Sequence, residues 1–473
     1  MQNKISHIYT LFNSTSTALM VLILIGAAIV QSVYFIKIQS DYPSTAIRQE
    51  NQYSELADNF KSHGIYGTGT APDIERDTQH PPLYSMLLSV IYAISGSNHA
   101  HALIVNNLYL WLMLIIVFMA GAIIDKKVGV LAALLTSIDP SAIIHSNSNE
   151  PTMLNALLIA LLFLILMRLL SSESTMKLVV LGSIILALSI LTCATTLYLL
   201  VPIIIIIPIC HLLLDRQYST KRVAIYVLIL ASFPTILVGG WITRNYAESN
   251  TITYGGVSQH IYSKFLPAIL AEVDEISFKE SQTTRILEED IDHDNPKFSQ
   301  VLSVIAKYPL QSLTVSLKRL PVVFFNYPTA ATSIFLSNNH QESIEIYSQK
   351  NSDKQQDILN LASVTNINSY YKENGLVFAF THKIIFNILA VFCIFGTIFG
   401  IIYLLWDRDL RPFGMLAGST LFYFIMISAI WPSSEFRLTL LPIYTIPVAF
   451  TFFWLWDLLI TLIEKLPVPR TSQ

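Results

Sequence analysis

Apolar runs of close to twenty residues, built from Ile, Leu, Val and Phe, recur along the chain, and each is long enough to cross a hydrocarbon layer of roughly 30 Å. They fall at 17–37, 102–124, 129–146, 152–170, 177–195, 197–214, 222–241, 377–404, 414–431 and 438–460. Two long polar stretches, about 38–80 and 242–376, interrupt them. A shorter apolar stretch, 82–95, is too brief for a crossing and suits an interfacial or re-entrant helix. The pattern predicts an all-α polytopic membrane protein with about ten transmembrane helices. It divides into a transmembrane module over 1–241 with its first outer loop at 38–96, an outer segment over 242–376, and C-terminal transmembrane helices over 377–473. Within the outer segment, apolar residues from Val301 to Phe325 recur at helical spacing, which predicts amphipathic helices.

Basic residues set the sidedness, because Lys and Arg collect in cytoplasmic loops. With 82–95 not crossing, the loops holding Lys126 and Lys127, Arg168 and Lys177, Arg216 to Arg222, and Arg408 and Arg411 all fall inside. Both termini then lie in the cytoplasm, and the long polar stretches share the outer face with the loops around Glu150 and Arg437. A bacterial inner membrane is the expected setting. The first run, Thr17 to Ile36, exceeds a signal-peptide core and is one of many, so it reads as a retained span.

Composition agrees. Hydrophobic residues make up 53% of the 473 positions and charged residues 13%, against roughly a quarter charged in soluble domains. That excludes a soluble enzyme, a disordered chain and a disulfide scaffold. Net charge is −3, with no basic stripe of the kind a nucleic acid needs. Cys193, Cys210 and Cys393 all sit in apolar runs without CxxC spacing, so buried free thiols are expected.

The first outer loop contains YSELADNFKSHGIYG and, after it, QHPPLYSMLL. Glu50, Tyr53, Ala57 and Phe60 recur at three- and four-residue spacing, which predicts a short helix from about Gln49 that Gly64 ends. Pro81 and Pro82 then open the fourteen-residue apolar helix. Glu50, Glu55 and Asp58 are either one solvated helix face or carboxylates held at the lipid–water boundary.

This loop resembles the first outer loop of GT-C class membrane glycosyltransferases, among them protein mannosyltransferases, the lipid A aminoarabinose transferase and rhizobial galacturonosyltransferases. Tyr53, Leu56, Ala57, Gly64, Pro82, Leu83 and Tyr84 fit the class pattern, and Arg76 is a nearby base. Where the class carries a catalytic Asp, this chain has Gln49, which cannot act as a base. Glu50 stands beside it and Asp41 a few residues earlier, and these two are the candidate catalytic carboxylates.

Three later features follow in the class order. Glu150 in SNSNEPTMLNALL resembles a loop glutamate that opens a span. GGWITRNYAES resembles a Trp-x-x-Arg-Asn-Tyr span end and supplies Arg244, Asn245 and Tyr246. SSEFRLTLLPIYTIP supplies Glu435 and Arg437. The resemblance implies inverting transfer of a sugar from a polyprenyl-phosphate carrier to a hydroxyl of a glycolipid, glycan or protein. A carboxylate takes the hydroxyl proton, arginines meet the leaving phosphate, and an oxocarbenium-like transition state lies between. Tyr53, Arg76, His80, Glu150, Arg244, Asn245, Tyr246 and Arg437 are the expected substrate-binding residues, and membrane lipid is a further partner.

No nucleotide-binding glycine loop is present, which favours a lipid-phosphate donor. His80, His99, His101 and His145 leave room for a divalent cation, but their irregular spacing favours scattered surface histidines. Two other readings stand beside the transferase. One is a transporter or flippase for a lipid-linked sugar, although the chain shows no repeat and only Asp139 as a mid-span acid. The other is a relative made inactive by Gln49.

Overall fold

The computed structural model describes residues 18–33, 35–36, 51–170, 175–213, 220–250, 254–255, 261–292, 296–325, 377–430 and 434–464. Within them the chain is an all-α polytopic membrane protein. Its N-terminal helices are α1 (Ala18–Val33), α2 (Asn51–His63), α3 (Leu83–Ser95), α4 (His99–Gly121), α5 (Lys126–Ser137) and α6 (Pro140–His145). Then come α7 (Thr152–Leu170), α8 (Met176–Thr192), α9 (Leu200–Leu213) and α10 (Thr220–Ser249). A polar stretch carries α11 (Leu266–Asp274), α12 (Phe278–Thr283), α13 (Phe298–Lys307) and α14 (Pro309–Phe325). The chain closes with α15 (Val377–Trp406), α16 (Arg411–Ile430) and α17 (Ser434–Glu464).

The sequence of α7 is apolar all round, so no face of it can meet water, and it occupies the centre of the bundle with nearly every side chain buried. Helices α4, α8 and α17 pack around it. Its one interior amide, Asn155, accepts hydrogen bonds from Ser189 (2.7 Å) and Thr196 (3.3 Å), which fix the turn between α8 and α9. Outward faces of the peripheral helices are apolar too: Leu22, Ile25 and Ile29 on α1 and Ile388, Phe395 and Phe399 on α15 are all exposed. In water such faces would be an aggregation liability; against acyl chains they are the expected surface. Among the described residues α4, α7, α10, α15 and α17 are long and apolar enough to cross, with α1, α8 and α9 shorter.

One expected span is corrected. The run 129–146 is not a single helix, because Pro140 has no amide proton and its ring clashes with the preceding turn. Helix α5 stops at Ser137, and the Asp139 carboxylate accepts from the Ser141 N–H (2.8 Å) to cap α6. Helix α3 is present as expected. It turns Tyr84, Leu88 and Tyr92 inward and leaves Val90 and Ile94 outside.

The polar stretch after α10 has a small core of its own, in which Leu266, Ile269 and Leu270 of α11 meet Val301 and Val304 of α13. The amphipathic helices expected between Val301 and Phe325 form as α13 and α14, split before Pro309. Helix α14 packs on α16 and leaves Leu310, Leu313 and Leu317 exposed.

Tight helix contact requires small residues. A methyl group on Gly121 of α4 would sit 2.6 Å from the Gly129 Cα of α5. Gly121→Val should therefore cost about 1–3 kcal/mol, read as a lowered melting temperature of the detergent-solubilised protein. An unchanged melting temperature would mean that the α4–α5 hairpin is loosely packed.

Candidate active site

Residues 64–82, between α2 and α3, form a closed loop. Gly64 ends α2 with φ +68, and its N–H reaches the Phe60 carbonyl at 3.0 Å. A two-residue antiparallel pairing, Gly67–Thr68 with Glu75–Arg76, folds the loop on itself. Helix α2 holds this fold from below. Asn59 donates to the carbonyls of Gly67 (2.9 Å) and Gly69 (3.0 Å), and the Glu55 carboxylate accepts the Gly69 N–H at 2.6 Å. At the far end the Tyr66 hydroxyl donates to the Pro81 carbonyl at 3.0 Å. Tyr66 is buried, and burial pushes its phenol well above the usual range.

The end of α10 straps this loop down. Trp241, Arg244, Asn245 and Glu248 follow the i, i+3, i+4, i+7 spacing of one helix face. The Arg244 guanidinium donates to the carbonyls of Asp77 and of Tyr66 (the latter at 3.2 Å). It lies over the rings of Trp241 (4.9 Å) and Tyr66 (5.8 Å). Asn245 donates to the Thr78 carbonyl at 3.0 Å, and Glu248 pairs with Arg76. Arg244 thus makes no ion pair with a carboxylate among the described residues; its hydrogen-bond partners are neutral oxygens.

Asp77 has a second role in the same loop. One carboxylate oxygen accepts the backbone N–H groups of Gln79 (3.0 Å) and His80 (2.7 Å), and the other meets His80 Nδ1 at 2.8 Å. Burial alone would raise this carboxyl. The hydrogen bond and charge of His80, together with the two amides, outweigh it and hold Asp77 below the usual carboxylate range. The His80 ring stands edge-on to Tyr53 of α2 (5.3 Å), and Tyr53 in turn meets Tyr84 of α3 (5.7 Å).

A buried polar network supports α2 and α3 from the loop before α7. The Tyr84 hydroxyl donates to Asn149 Oδ1 (2.9 Å), and Asn149 Nδ2 donates to Ser54 of α2. Ser54 also shares a hydrogen bond with Tyr92 (3.0 Å), and Asn106 of α4 donates to the Ser148 carbonyl (2.6 Å). Glu150 lies beneath this network, paired with His145 and accepting from Ser148 Oγ (2.7 Å). Burial favours its neutral form, but the His145 charge and the hydrogen bonds keep it ionised, with its carboxyl below the usual range. His145 is therefore not a surface histidine as the spacing suggested; Glu150 draws it inside.

Arg437 sits apart from this loop. It is 3% exposed, pairs with Asp139 at the cap of α6, and lies 4.0 Å over the Phe386 ring. Tyr53, Arg76, His80, Arg244 and Asn245 thus meet at one loop, Glu150 lies behind it, and Tyr246 points away with 52% of its surface exposed. Glu50, Asp41 and Gln49 lie outside the described residues. Asp77 and Glu248 are additional members. The D-x-x-H turn and the position four residues after Arg244 were signals for them. Among the described residues no three His, Cys, Asp or Glu side chains converge to hold a metal ion. Cys193 and Cys393 form no disulfide among the described residues and are half-buried.

Comparison with known proteins points the same way as the sequence resemblance. Residues 79–241 match the model of the dolichyl-phosphate-mannose-protein mannosyltransferase family, a stretch from the His80 turn to Trp241. The oligosaccharyltransferase of Archaeoglobus fulgidus, solved with Zn and sulfate, shares the fold at 14% identity and TM-score 0.50, over 94% of this chain and 52% of that one. The chain thus spans about half the length of that enzyme. ArnT from Cupriavidus metallidurans bound to undecaprenyl phosphate aligns at 12% identity and TM-score 0.41, over 87% of this chain and 77% of that one. No curated protein matches the chain.

The buried Asp139–Arg437 pair carries a direct test. Removing one partner strands a charge, whereas removing both does not. Asp139→Ala and Arg437→Met should each cost about 3–5 kcal/mol of stability, and the double variant should cost less than their sum. Additive losses would show that the two side chains do not interact.

Proposed function

We propose that the protein transfers a sugar from a polyprenyl-phosphate carrier to an acceptor hydroxyl, with inversion, at the outer face of a membrane. The observation that carries this reading is Arg244. Its guanidinium is held in place by backbone carbonyls and two aromatic rings and makes no ion pair with a carboxylate among the described residues, although Glu248 and Asp77 lie close enough to act on its charge. A fixed cation at the end of a span suits the phosphate of a lipid carrier, whose leaving-group charge it stabilises as the sugar departs. Arg76, one residue before Asp77, is paired with Glu248 on the same helix face as Arg244.

The remaining residues have supporting roles in this reading. Tyr53 and Asn245 shape the loop, Glu150 holds the network beneath it, and Tyr246 offers a ring at the exposed end of α10. Arg437 binds the carrier only if its pairing with Asp139 opens; otherwise it anchors α17. The oligosaccharyltransferase matches over half its length, and the mannosyltransferase family matches over 79–241, which supports glycosyl transfer without specifying sugar or acceptor. A glycolipid, a glycan and a protein all present a suitable hydroxyl. The basic loops support a cytoplasmic placement of both termini, and a bacterial inner membrane is the setting of this reading.

The test is transfer by the purified protein in liposomes. It uses synthetic polyprenyl-phosphate monosaccharides as donors and membranes of a deletion strain as acceptor. Wild type should transfer at least one sugar, and Arg244→Ala should lose ten- to hundredfold, since a charge-assisted contact is worth about 1.5–3 kcal/mol. A wild type that transfers nothing yet binds the donor would favour the inactive relative suggested by Gln49. Sidedness is checked by cysteine labelling: positions 126 and 408 should react from the cytoplasm and position 246 from outside. The reverse pattern would place the loop on the wrong side for this reaction.

A further inference from the structure

Transfer to a hydroxyl needs a base, and Gln49 occupies the position where the resemblance puts one. The geometry points to the His80–Asp77 pair as the general base, with His80 Nε2 taking the proton of the acceptor hydroxyl. This inference rests on the sugar-transfer reading above.

Three features of the loop support it. First, the tautomer is set. Asp77 Oδ2 lies 2.8 Å from His80 Nδ1, and the carboxylate is ionised, so Nδ1 carries the hydrogen and donates it. Nε2 is left with its lone pair and makes no hydrogen bond among the described residues. This is the base-and-orienter logic of hydrolytic triads, in which a carboxylate fixes the imidazole and stabilises the imidazolium that forms. Second, the ring is positioned yet reachable. Tyr53 stands edge-on at 5.3 Å, while the His80 side chain keeps 21% of its surface open. Third, one residue joins the two halves of the chemistry: Asp77 gives its carbonyl to Arg244 and its carboxylate to His80. The cation suited to the phosphate and the base suited to the hydroxyl are therefore held by a single residue.

The step balances. The acceptor oxygen forms a bond to the anomeric carbon as its proton passes to Nε2. The bond from that carbon to the phosphate oxygen breaks, and its electron pair leaves with the polyprenyl phosphate. The imidazolium then returns its proton to water. Titratable and charged groups around the pair are Arg76 from the loop, Tyr53 of α2, Tyr84 of α3, and Arg244 and Glu248 of α10.

The experiment is the liposome transfer assay with His80→Ala, run as a function of pH and with added imidazole. General-base loss predicts a fall in kcat of about a hundredfold or more with little change in donor KM. The acid limb of the wild-type profile should disappear, and free imidazole should recover activity at least about tenfold, as expected when a small base enters the vacated site. His80→Gln covers the case in which the alanine variant does not fold, and it should show the same loss in kcat. Activity within threefold of wild type in either variant would overturn the inference. So would a His80→Ala profile that keeps its acid limb without imidazole rescue, or an acid limb lost instead in Glu50→Gln. A wild type that transfers no sugar defeats the transferase reading and this base with it. Failure in the variants alone defeats only the base.

Discussion

The Arg244 guanidinium, bonded to the carbonyls of Tyr66 and Asp77, is the contact on which the candidate site depends. Those carbonyls sit at the two ends of the loop's central section, so one side chain from α10 closes the section and binds it to a membrane span. Carbonyl oxygens satisfy the donors of the guanidinium without cancelling its charge, and the Trp241 and Tyr66 rings shield it partly from water. An ion pair in the same place would have neutralised the cation. The protein keeps an ordered positive charge at the end of a span, beside a histidine whose partner carboxylate belongs to the same loop.

The rest of the bundle serves that placement. Helix α7 is buried on all sides, and the turn before it, 146–151, reaches α2, α3 and α4 through the side chains of Asn149, Glu150 and their partners. In a protein whose outer surface faces acyl chains, buried polar groups find partners only in one another, so such a network is satisfied in few geometries. It sets where α2 and α3 lie, and with them the Tyr53 ring against His80. The Asp139–Arg437 pair acts in the same way for the break between α5 and α6, where charge pairing holds α17 to a helix cap.

Much of this was legible in the sequence. Span length is fixed by bilayer thickness, so most of the long helices could be read from apolar runs, the run broken at Pro140 being the exception. The α10 face was legible as well, because 241, 244, 245 and 248 follow helical spacing. What the sequence could not show is pairing across distance. Arg244 meets a carbonyl 167 positions away, and Arg437 meets a carboxylate 298 positions away. Neither partner leaves a local signal. Asp139 sits beside Pro140, a cue to the break in the span, but nothing near it in the chain points to the arginine. His145 was misread as a surface residue for the same reason, since its environment is decided by Glu150 and by the packing of α7.

The central claim is that the carrier phosphate binds at the strapped loop. The most direct measurement is an experimental structure with a polyprenyl phosphate bound. The account predicts phosphate oxygens within hydrogen-bond distance of the Arg244 guanidinium, with His80 Nε2 facing the same space and the Arg244 bonds to Tyr66 and Asp77 intact. A phosphate held instead by Arg437 with its Asp139 pair broken, or bound at the cytoplasmic ends of the spans, would contradict it.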